Sequence, residues 1–304
     1  MKEDTLNEFA RATKPMHEKR VLPKENIPAL LDFGDSIVDP GNNNEIMLTF
    51  IKANFPPYGK DFEDEKATAD APGVKKLLLA YLDPDLQDEE LLTGVSFASS
   101  ACGFDPLTSR IIISGNNVKL MKDQLNMFKA YTTKVKAMVA EEQTNFILGN
   151  SVYVVVAGTD DLANTYFSTP FIRDDYDVHS YTDLVRNSAS SFIEVHHSIK
   201  DRFSIILFNN KLAVELKALG HRLPDSEIVY MDIYSIFLDL IENGINYGFE
   251  VVDKGCCGSG AIEVAVFCNL FSTTCDDRTN YHPSERADKI IVDQIVEKYM
   301  KHFV

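Results

Sequence analysis

A short, continuous run of apolar and β-branched residues is the feature that most constrains the fold of this chain. Residues 151–157 read SVYVVVA and are followed at once by Gly158. A strand with one face in water alternates apolar and polar residues, whereas a strand in a parallel sheet covered by helices is apolar almost throughout. The run therefore predicts a strand that is buried on both faces in a parallel sheet.

Further strands and amphipathic helices alternate along the chain. Residues 27–33 (IPALLDF) and 227–234 predict strands. Residues 119–140, residues 181–199 and a final segment opened by Pro283 carry apolar residues at three- and four-residue spacing, which predicts helices. Strands alternating with helices predict an α/β sandwich around a mainly parallel sheet.

Length and charge limit what the chain can be. Its 304 residues, 45% of them hydrophobic, suit one globular domain, and we expect a polar, disordered leader over residues 1–26 and a single domain over residues 27–304. The formal net charge of −16 repels phosphate backbones, so we expect no nucleic acid partner. No apolar run is long enough for a transmembrane segment, and the charged N-terminus shows no signal peptide.

Four cysteines cluster late in the chain, at Cys256, Cys257, Cys268 and Cys275, while Cys102 stands apart. Two disulfides within the cluster are compatible with three pairings. Unpaired thiols and a metal site are the alternatives, and the steps of eleven and seven positions match zinc-binding spacing poorly. Disulfides are the favoured interpretation and would indicate an oxidising compartment.

Reactive residues follow the predicted strands, where α/β sheets gather functional loops. The candidate segments are residues 34–36 (GDS), residues 158–161 (GTDD) and residues 281–283 (YHP). A serine hydroxyl becomes a nucleophile when a histidine removes its proton, and Ser36 and His282 could fill these roles if the fold joins the two ends of the chain. Taken singly, each segment is also compatible with an ordinary turn.

A series of motifs in a fixed order makes the chain resemble the plant GDSL esterase/lipase family of the SGNH hydrolase superfamily. The similarity extends from Pro28 to the C-terminus and is nearest to the extracellular, anther-type lipases. The motifs are residues 33–44 (FGDSIVDPGNNN), 54–62 (NFPPYGKDF), 93–99 (TGVSFAS), 163–167 (ANTYF), 247–250 (YGFE), 254–258 (KGCCG) and 281–287 (YHPSERA).

The resemblance implies a flavodoxin-like, three-layer α/β/α sandwich and a hydrolase that acts on ester bonds of lipids or small acyl esters. It implies Ser36 as the nucleophile, His282 as the general base, no cofactor or metal, and an extracellular location. The implied oxyanion hole consists of the Ser36 backbone N–H, a glycine N–H of the second motif block and an asparagine side chain of the third.

The oxyanion positions depart from the family pattern. Residues 98–103 read ASSACG where the family has ASGGAG, so Ser100 and Ala101 stand at glycine positions. A side chain there resists a positive φ. Asp160 replaces the asparagine, and an ionised carboxylate cannot donate a hydrogen bond.

The last motif block, around His282, also departs from the family pattern. The family's aspartate three residues before the histidine is Thr279 in this chain, so Asp277 is the candidate carboxylate for orienting His282. Two alternatives to an active hydrolase remain open on these departures: a catalytically impaired family member that acts as a binding protein, and a chain that does not fold stably.

Two stretches are shorter than in the family, at residues 66–74 and 197–208. The second should contain a strand of the sheet. The sheet is therefore expected either to be one strand short or to take a substitute strand from residues 198–207.

Overall fold

The structure is a computed structural model that describes residues 27–47, 49, 51–52, 54, 69–71, 75–111, 118–196, 202–206, 210–223, 226–249, 252 and 284–299. Several sequence predictions lie outside these residues. They concern the leader at residues 1–26, the late cysteine cluster, Asp277, Thr279 and His282.

Parallel strands form the main sheet. The strands of the described residues are β1 (Leu30–Gly34), β2 (Ala69–Ala71), β3 (Lys75–Leu78), β4 (Val152–Val156), β5 (Arg202–Ile206) and β6 (Ile228–Tyr230). The main sheet has the order β1-β4-β5-β6 with every pair parallel, and β2 pairs antiparallel with β3. The strand predicted at residues 151–157 is thus an interior strand, as its apolar composition requires.

The outer edge of β1 is covered by residues 93–99. The Leu30 N–H donates to the Thr93 carbonyl oxygen at 3.2 Å, and the Phe97 N–H donates to the Asp32 carbonyl oxygen at 2.9 Å. Asp32 and Ser96 form a parallel bridge. This segment runs beside β1 and delivers residues 98–103 to the carboxyl end of the sheet.

The shortened stretch at residues 197–208 still supplies a strand. Residues Arg202–Ile206 (RFSII) pair with β4 over five positions and also with β6. The substitute-strand prediction is therefore confirmed, and the sheet is continuous from β4 to β6.

Helices connect and cover the strands. Those described are α1 (Asp88–Leu91), α2 (Thr108–Ile111), α3 (Met121–Asn150), α4 (Pro170–Asp175), α5 (Val178–His196), α6 (Asn210–Arg222), α7 (Ile233–Glu242) and α8 (Glu285–Tyr299). Residues Asp161–Phe167 form a π-helical segment, and Asn42–Glu45 and Gly244–Tyr247 are 3₁₀ turns.

Some boundaries differ from the sequence prediction. The helix predicted at residues 119–140 continues to Asn150, with a break at Ala140, whose φ is 66° and ψ 173°. The strand predicted at residues 227–234 ends at Tyr230, because the side chain of Asp232 accepts a hydrogen bond from the Ser235 N–H and caps α7.

The two faces of β4 pack against different helices. Tyr153 and Val155 lie in one buried cluster with Phe128 of α3. Val156 lies in a second buried cluster with Tyr299 of α8. Helices on both faces of the sheet make the three-layer α/β/α sandwich that was predicted. Within the described part of the chain, no helix has the length and apolarity to cross a membrane.

Candidate active site

Ser36 lies in the turn that leaves the carboxyl end of β1, and its side chain is half-buried. Gly34 precedes this turn with a φ of 140°, and a Cβ built on it would overlap the carbonyl oxygen of Val156. The Asp35 N–H then donates to that same oxygen at 2.9 Å. Glycine is therefore required at position 34.

A glutamine from α3 fixes the turn before Ser36. The fully buried Gln124 accepts a hydrogen bond from the Gly34 N–H through Oε1 and donates one to the Gly34 carbonyl oxygen through Nε2, each at 2.8 Å. Sequence reasoning missed this residue. The available signal was its place on the apolar stripe of the helix, between Met121 and Phe128, where a polar side chain needs a buried partner.

Asp39 holds the loop at residues 98–103 against the Ser36 turn. Its Oδ2 accepts hydrogen bonds from the Ser100 N–H at 2.9 Å and the Ser100 hydroxyl at 2.8 Å. Its Oδ1 accepts from the N–H groups of Gly41 and Asn42. Because the Ser100 N–H is occupied by Asp39, the Ala101 N–H is the stronger candidate for an oxyanion donor on this loop.

Two buried asparagines of the segment that follows Asp39 complete the support. Asn42 donates to the carbonyl oxygens of Ser96 and Ala98 at 3.0 and 2.8 Å. Asn43 donates to the Ser100 carbonyl oxygen and accepts from the hydroxyl of Ser99. The loop at residues 98–103 is thus held by side chains of the segment that follows the nucleophile in sequence.

Ala101 takes a backbone conformation that favours glycine. Its φ is 68°, and the residue is almost fully buried. Alanine therefore stands at a family glycine position with a positive φ, which costs about 1–2 kcal/mol.

Asp160 lies after the carboxyl end of β4, where the family has asparagine. Its side chain is 3% exposed, and its Oδ1 accepts a hydrogen bond from Asn164 Nδ2 at 2.5 Å. Asp160 follows β4 and Asp35 follows the paired strand β1, so the two carboxyl groups lie at the same edge of the sheet.

The neighbouring Asp161 has a structural role. Its carboxylate accepts hydrogen bonds from the N–H groups of Phe104 and Asp105, both at 2.9 Å, and from the Thr108 hydroxyl at 2.6 Å. A Cβ on Gly103 would overlap this carboxylate. Asp161 therefore connects the start of α2 to the residues that follow β4.

Burial dominates the electrostatics of the site. Burial and the charge of Asp160 raise the pKa of Asp35 well above its ordinary value. Burial also raises the pKa of Asp39, and that of Asp161 to about 6. The described part of the site is thus acidic, and the described residues include no group of three His, Cys, Asp or Glu side chains that could hold a metal ion.

The structure brings the described candidates to one end of the sheet. Ser36 follows β1, Ser100 and Ala101 follow residues 93–99, and Asp160 follows β4. A serine hydroxyl and the backbone N–H groups of neighbouring loops are the groups that acyl transfer requires. The proposed base, His282, lies outside the described residues.

Comparisons with known proteins agree with this arrangement. The family model described as GDSL-like Lipase/Acylhydrolase matches residues 30–295. The chain is 38% identical over 344 residues to GDSL esterase/lipase EXL3 of Arabidopsis thaliana, covering 96% of this chain and 93% of the relative. It is 36% identical to GDSL esterase/lipase EXL2 of the same plant over 339 residues, covering 91% of this chain and 89% of the relative. The alignment with EXL3 is longer than this chain of 304 residues, as expected if the relative has segments that this chain lacks.

Proposed function

Because the chain belongs to the GDSL-like lipase/acylhydrolase family, we propose that it hydrolyses esters of lipids or small acyl compounds through a covalent intermediate on Ser36. The observation that carries the proposal is the meeting of three loops at one end of the sheet. The Ser99 N–H donates to the Gly34 carbonyl oxygen at 3.0 Å, so the second-block loop lies directly beside the turn that carries Ser36.

The reaction proceeds in two acyl-transfer steps. Ser36 Oγ attacks the carbonyl carbon of the ester while His282 accepts the hydroxyl proton. His282 then gives the proton to the leaving alcohol as the ester bond breaks. Water, deprotonated by the same imidazole, hydrolyses the acyl-enzyme and releases the acid. Asp277 is the candidate that orients the imidazole.

Rigid support around the nucleophile favours the transition state. Negative charge develops on the carbonyl oxygen, and donors fixed in advance stabilise it without reorganisation. The donors proposed are the N–H groups of Ser36 and Ala101, while Asp160 stands at the third oxyanion position, where an ionised carboxylate cannot donate. Gln124 and Asp39 hold the two loops that carry these N–H groups.

Ester hydrolysis by substituted proteins tests the proposal. Ser36→Ala and His282→Ala should each lower kcat for a p-nitrophenyl ester by about 10³-fold or more. The exposed Ser180 and His179 provide matched controls, and Ser180→Ala and His179→Ala should hydrolyse the ester at the wild-type rate. Hydrolysis that survives Ser36→Ala in the purified, folded protein would contradict the proposal. A folded wild type with no turnover would favour the binding-protein alternative.

An extracellular location is part of the proposal. It is supported by resemblance to the extracellular family subgroup and by the four late cysteines, which would form disulfides in an oxidising compartment. A C-terminally tagged protein expressed from its own transcript should be recovered from the extracellular fluid of the tissue. Recovery only from the cell interior would contradict this part.

A further inference from the structure

Gly34, which ends β1 two positions before Ser36, has both of its backbone polar groups bonded by other segments. Its N–H donates to Oε1 of Gln124, and its carbonyl oxygen accepts from Nε2 of Gln124, each at 2.8 Å. The same carbonyl oxygen accepts from the Ser99 N–H at 3.0 Å. The helix α3, the turn before the nucleophile and the loop at residues 98–103 therefore meet at one backbone oxygen.

Ser99 is bonded through every polar group that it carries. Its hydroxyl accepts from the Lys119 N–H at 2.9 Å and donates to Asn43 Oδ1 at 2.6 Å. Its carbonyl oxygen accepts from the Cys102 N–H at 3.1 Å, which closes the turn that contains Ala101. Ser99 thus connects the segment that leads into α3 to the turn that carries a proposed oxyanion donor.

The amide of Gln124 supplies the combination of groups that Gly34 requires. It accepts through its oxygen and donates through its nitrogen, whereas a carboxylate has no donor. Gln124 and Ser99 are both fully buried, so a bond lost at either residue is not replaced by bulk water. The hydrogen bonds of the two residues therefore hold their partners in one arrangement.

We infer that Gln124 and Ser99 are positioning residues of the proposed hydrolase. Together they set the spacing between the two proposed oxyanion donors, the N–H groups of Ser36 and Ala101. The inference rests on the proposed function, and neither side chain takes part in a bond change. The amide of Gln124 bonds the Gly34 carbonyl oxygen directly, and the hydroxyl of Ser99 anchors the residue whose N–H bonds that oxygen from the loop.

The spacing of the donors matters because the reaction gives them no time to rearrange. An oxyanion is stabilised by donors that are in place before the charge develops. A misplacement of about 1 Å that starts far from the reacting atoms can cost about 10²-fold in rate. Loss of either positioning residue should therefore slow the chemical step.

The kinetics of Gln124→Met test the inference. Methionine is nearly as long as glutamine but has no donor and only a weak acceptor. For a p-nitrophenyl ester, kcat should fall by about 10²-fold while KM stays within about twofold of the wild-type value, because the lost alignment acts in the transition state. A rise in KM at unchanged kcat, or unchanged kinetics in the folded variant, would overturn the inference.

A buried residue farther along the same helix is the control for a general loss of stability. Val135 is fully buried in the core and lies about 16 Å along the helix from Gln124. Val135→Ala should lower the midpoint of thermal unfolding through the cavity that it leaves, while its kcat remains that of the wild type. Equal losses of kcat in Gln124→Met and Val135→Ala would mean that Gln124 acts only through stability, contrary to the inference.

Ser99→Ala is an independent variant, and it decides the case if Gln124→Met does not fold. Its loss removes the acceptor of the Lys119 N–H and the donor to Asn43, so kcat should again fall at unchanged KM. In the doubly substituted protein, the loss of kcat should be smaller than the product of the two single losses, because both act on the same spacing. A loss equal to that product would overturn the joint role of the two residues.

Amide hydrogen exchange decides the case even without turnover. The Asp35 N–H donates to the Val156 carbonyl oxygen, a bond that Gln124→Met does not itself remove. Exchange at Asp35, relative to exchange at Val155 within β4, should be faster in Gln124→Met than in Val135→Ala. If it is faster but the wild type hydrolyses no ester, the positioning exists and the proposed function fails. If the relative exchange is equal in the two variants, the inference is wrong whatever the activity.

Discussion

Asp39 Oδ2 accepts hydrogen bonds from both donors of Ser100, its backbone N–H at 2.9 Å and its hydroxyl at 2.8 Å. Ser100, which replaces a family glycine, is therefore held in the site by a hydrogen bond from its own side chain. The same bond also fixes the backbone of Ala101, the next residue, whose N–H is a proposed oxyanion donor. Asp39 thus connects the stability of the loop to its function.

Asp39→Asn should destabilise the protein and slow hydrolysis together. The amide keeps one acceptor oxygen, so either the N–H and hydroxyl of Ser100 or the N–H groups of Gly41 and Asn42 lose their acceptor, at a cost of about 1–3 kcal/mol. We expect the midpoint of urea unfolding to fall and kcat to decrease, because the loop at residues 98–103 is no longer fixed. The exposed Asp174 provides the control, since Asp174→Asn should change neither quantity. An unchanged urea midpoint in Asp39→Asn would contradict this role.

Ala101→Gly should stabilise the protein. Glycine adopts a φ of 68° without the strain that alanine carries there, and the expected gain is about 1 kcal/mol in the free energy of unfolding. Ala98, on the same loop, has no positive φ, so Ala98→Gly should lower stability by a similar amount. Thermal unfolding of both variants measures the effect, and a loss of stability in Ala101→Gly would show that the position is not strained.

Two glycines should respond to alanine in opposite directions. Gly34→Ala should prevent stable folding, because its Cβ would overlap the Val156 carbonyl oxygen of the neighbouring strand. Gly220 lies in α6, where a Cβ meets nothing within 4 Å. Gly220→Ala should raise the unfolding free energy by about 0.5–1 kcal/mol through helix propensity. Soluble yield and circular dichroism distinguish the outcomes, and a well-folded Gly34→Ala protein would contradict the packing of β1 on β4.

Asp161 should make the protein less stable as the pH rises from 4 to 7. Burial raises its folded pKa to about 6 from an ordinary value of 3.8, so the folded state binds the proton more tightly. This contribution to stability is fully present below about pH 4 and is lost as the pH rises through about 6.

Urea titrations at pH 4.5 and pH 7 measure this effect by comparing the wild type with Asp161→Asn. The free-energy advantage of the wild type over the variant should shrink by about 2 kcal/mol between the two pH values. An advantage that grows with pH would mean that Asp161 has a lowered pKa in the folded protein, contrary to the account.

Local patterns predicted the layers of the fold, because the spacing of apolar residues within a strand or helix indicates which of its faces are buried. The apolar run at residues 151–157 predicted β4 as an interior strand of a parallel sheet. The shortened stretch at residues 197–208 left two predictions open, a missing strand or a substitute strand, and β5 is the substitute. The end of the strand β6 was predicted too late, because it depends on the cap that Asp232 makes for the helix α7.

The supports of the site could not be predicted in the same way. Gln124 bonds Gly34 across 90 positions of sequence, and Asn42 bonds Ser96 across 54. A polar residue in a helix or loop does not show which distant backbone group it will satisfy.

The identity of the residue that an active-site-directed reagent modifies tests the central claim most directly. The folded protein is treated with a fluorophosphonate, and the adduct is located by tandem mass spectrometry of its peptides. We expect one adduct, on the Ser36 hydroxyl, that is lost in Ser36→Ala and kept in Ser180→Ala. An adduct on another residue, or labelling of Ser36→Ala at the wild-type rate, would contradict it.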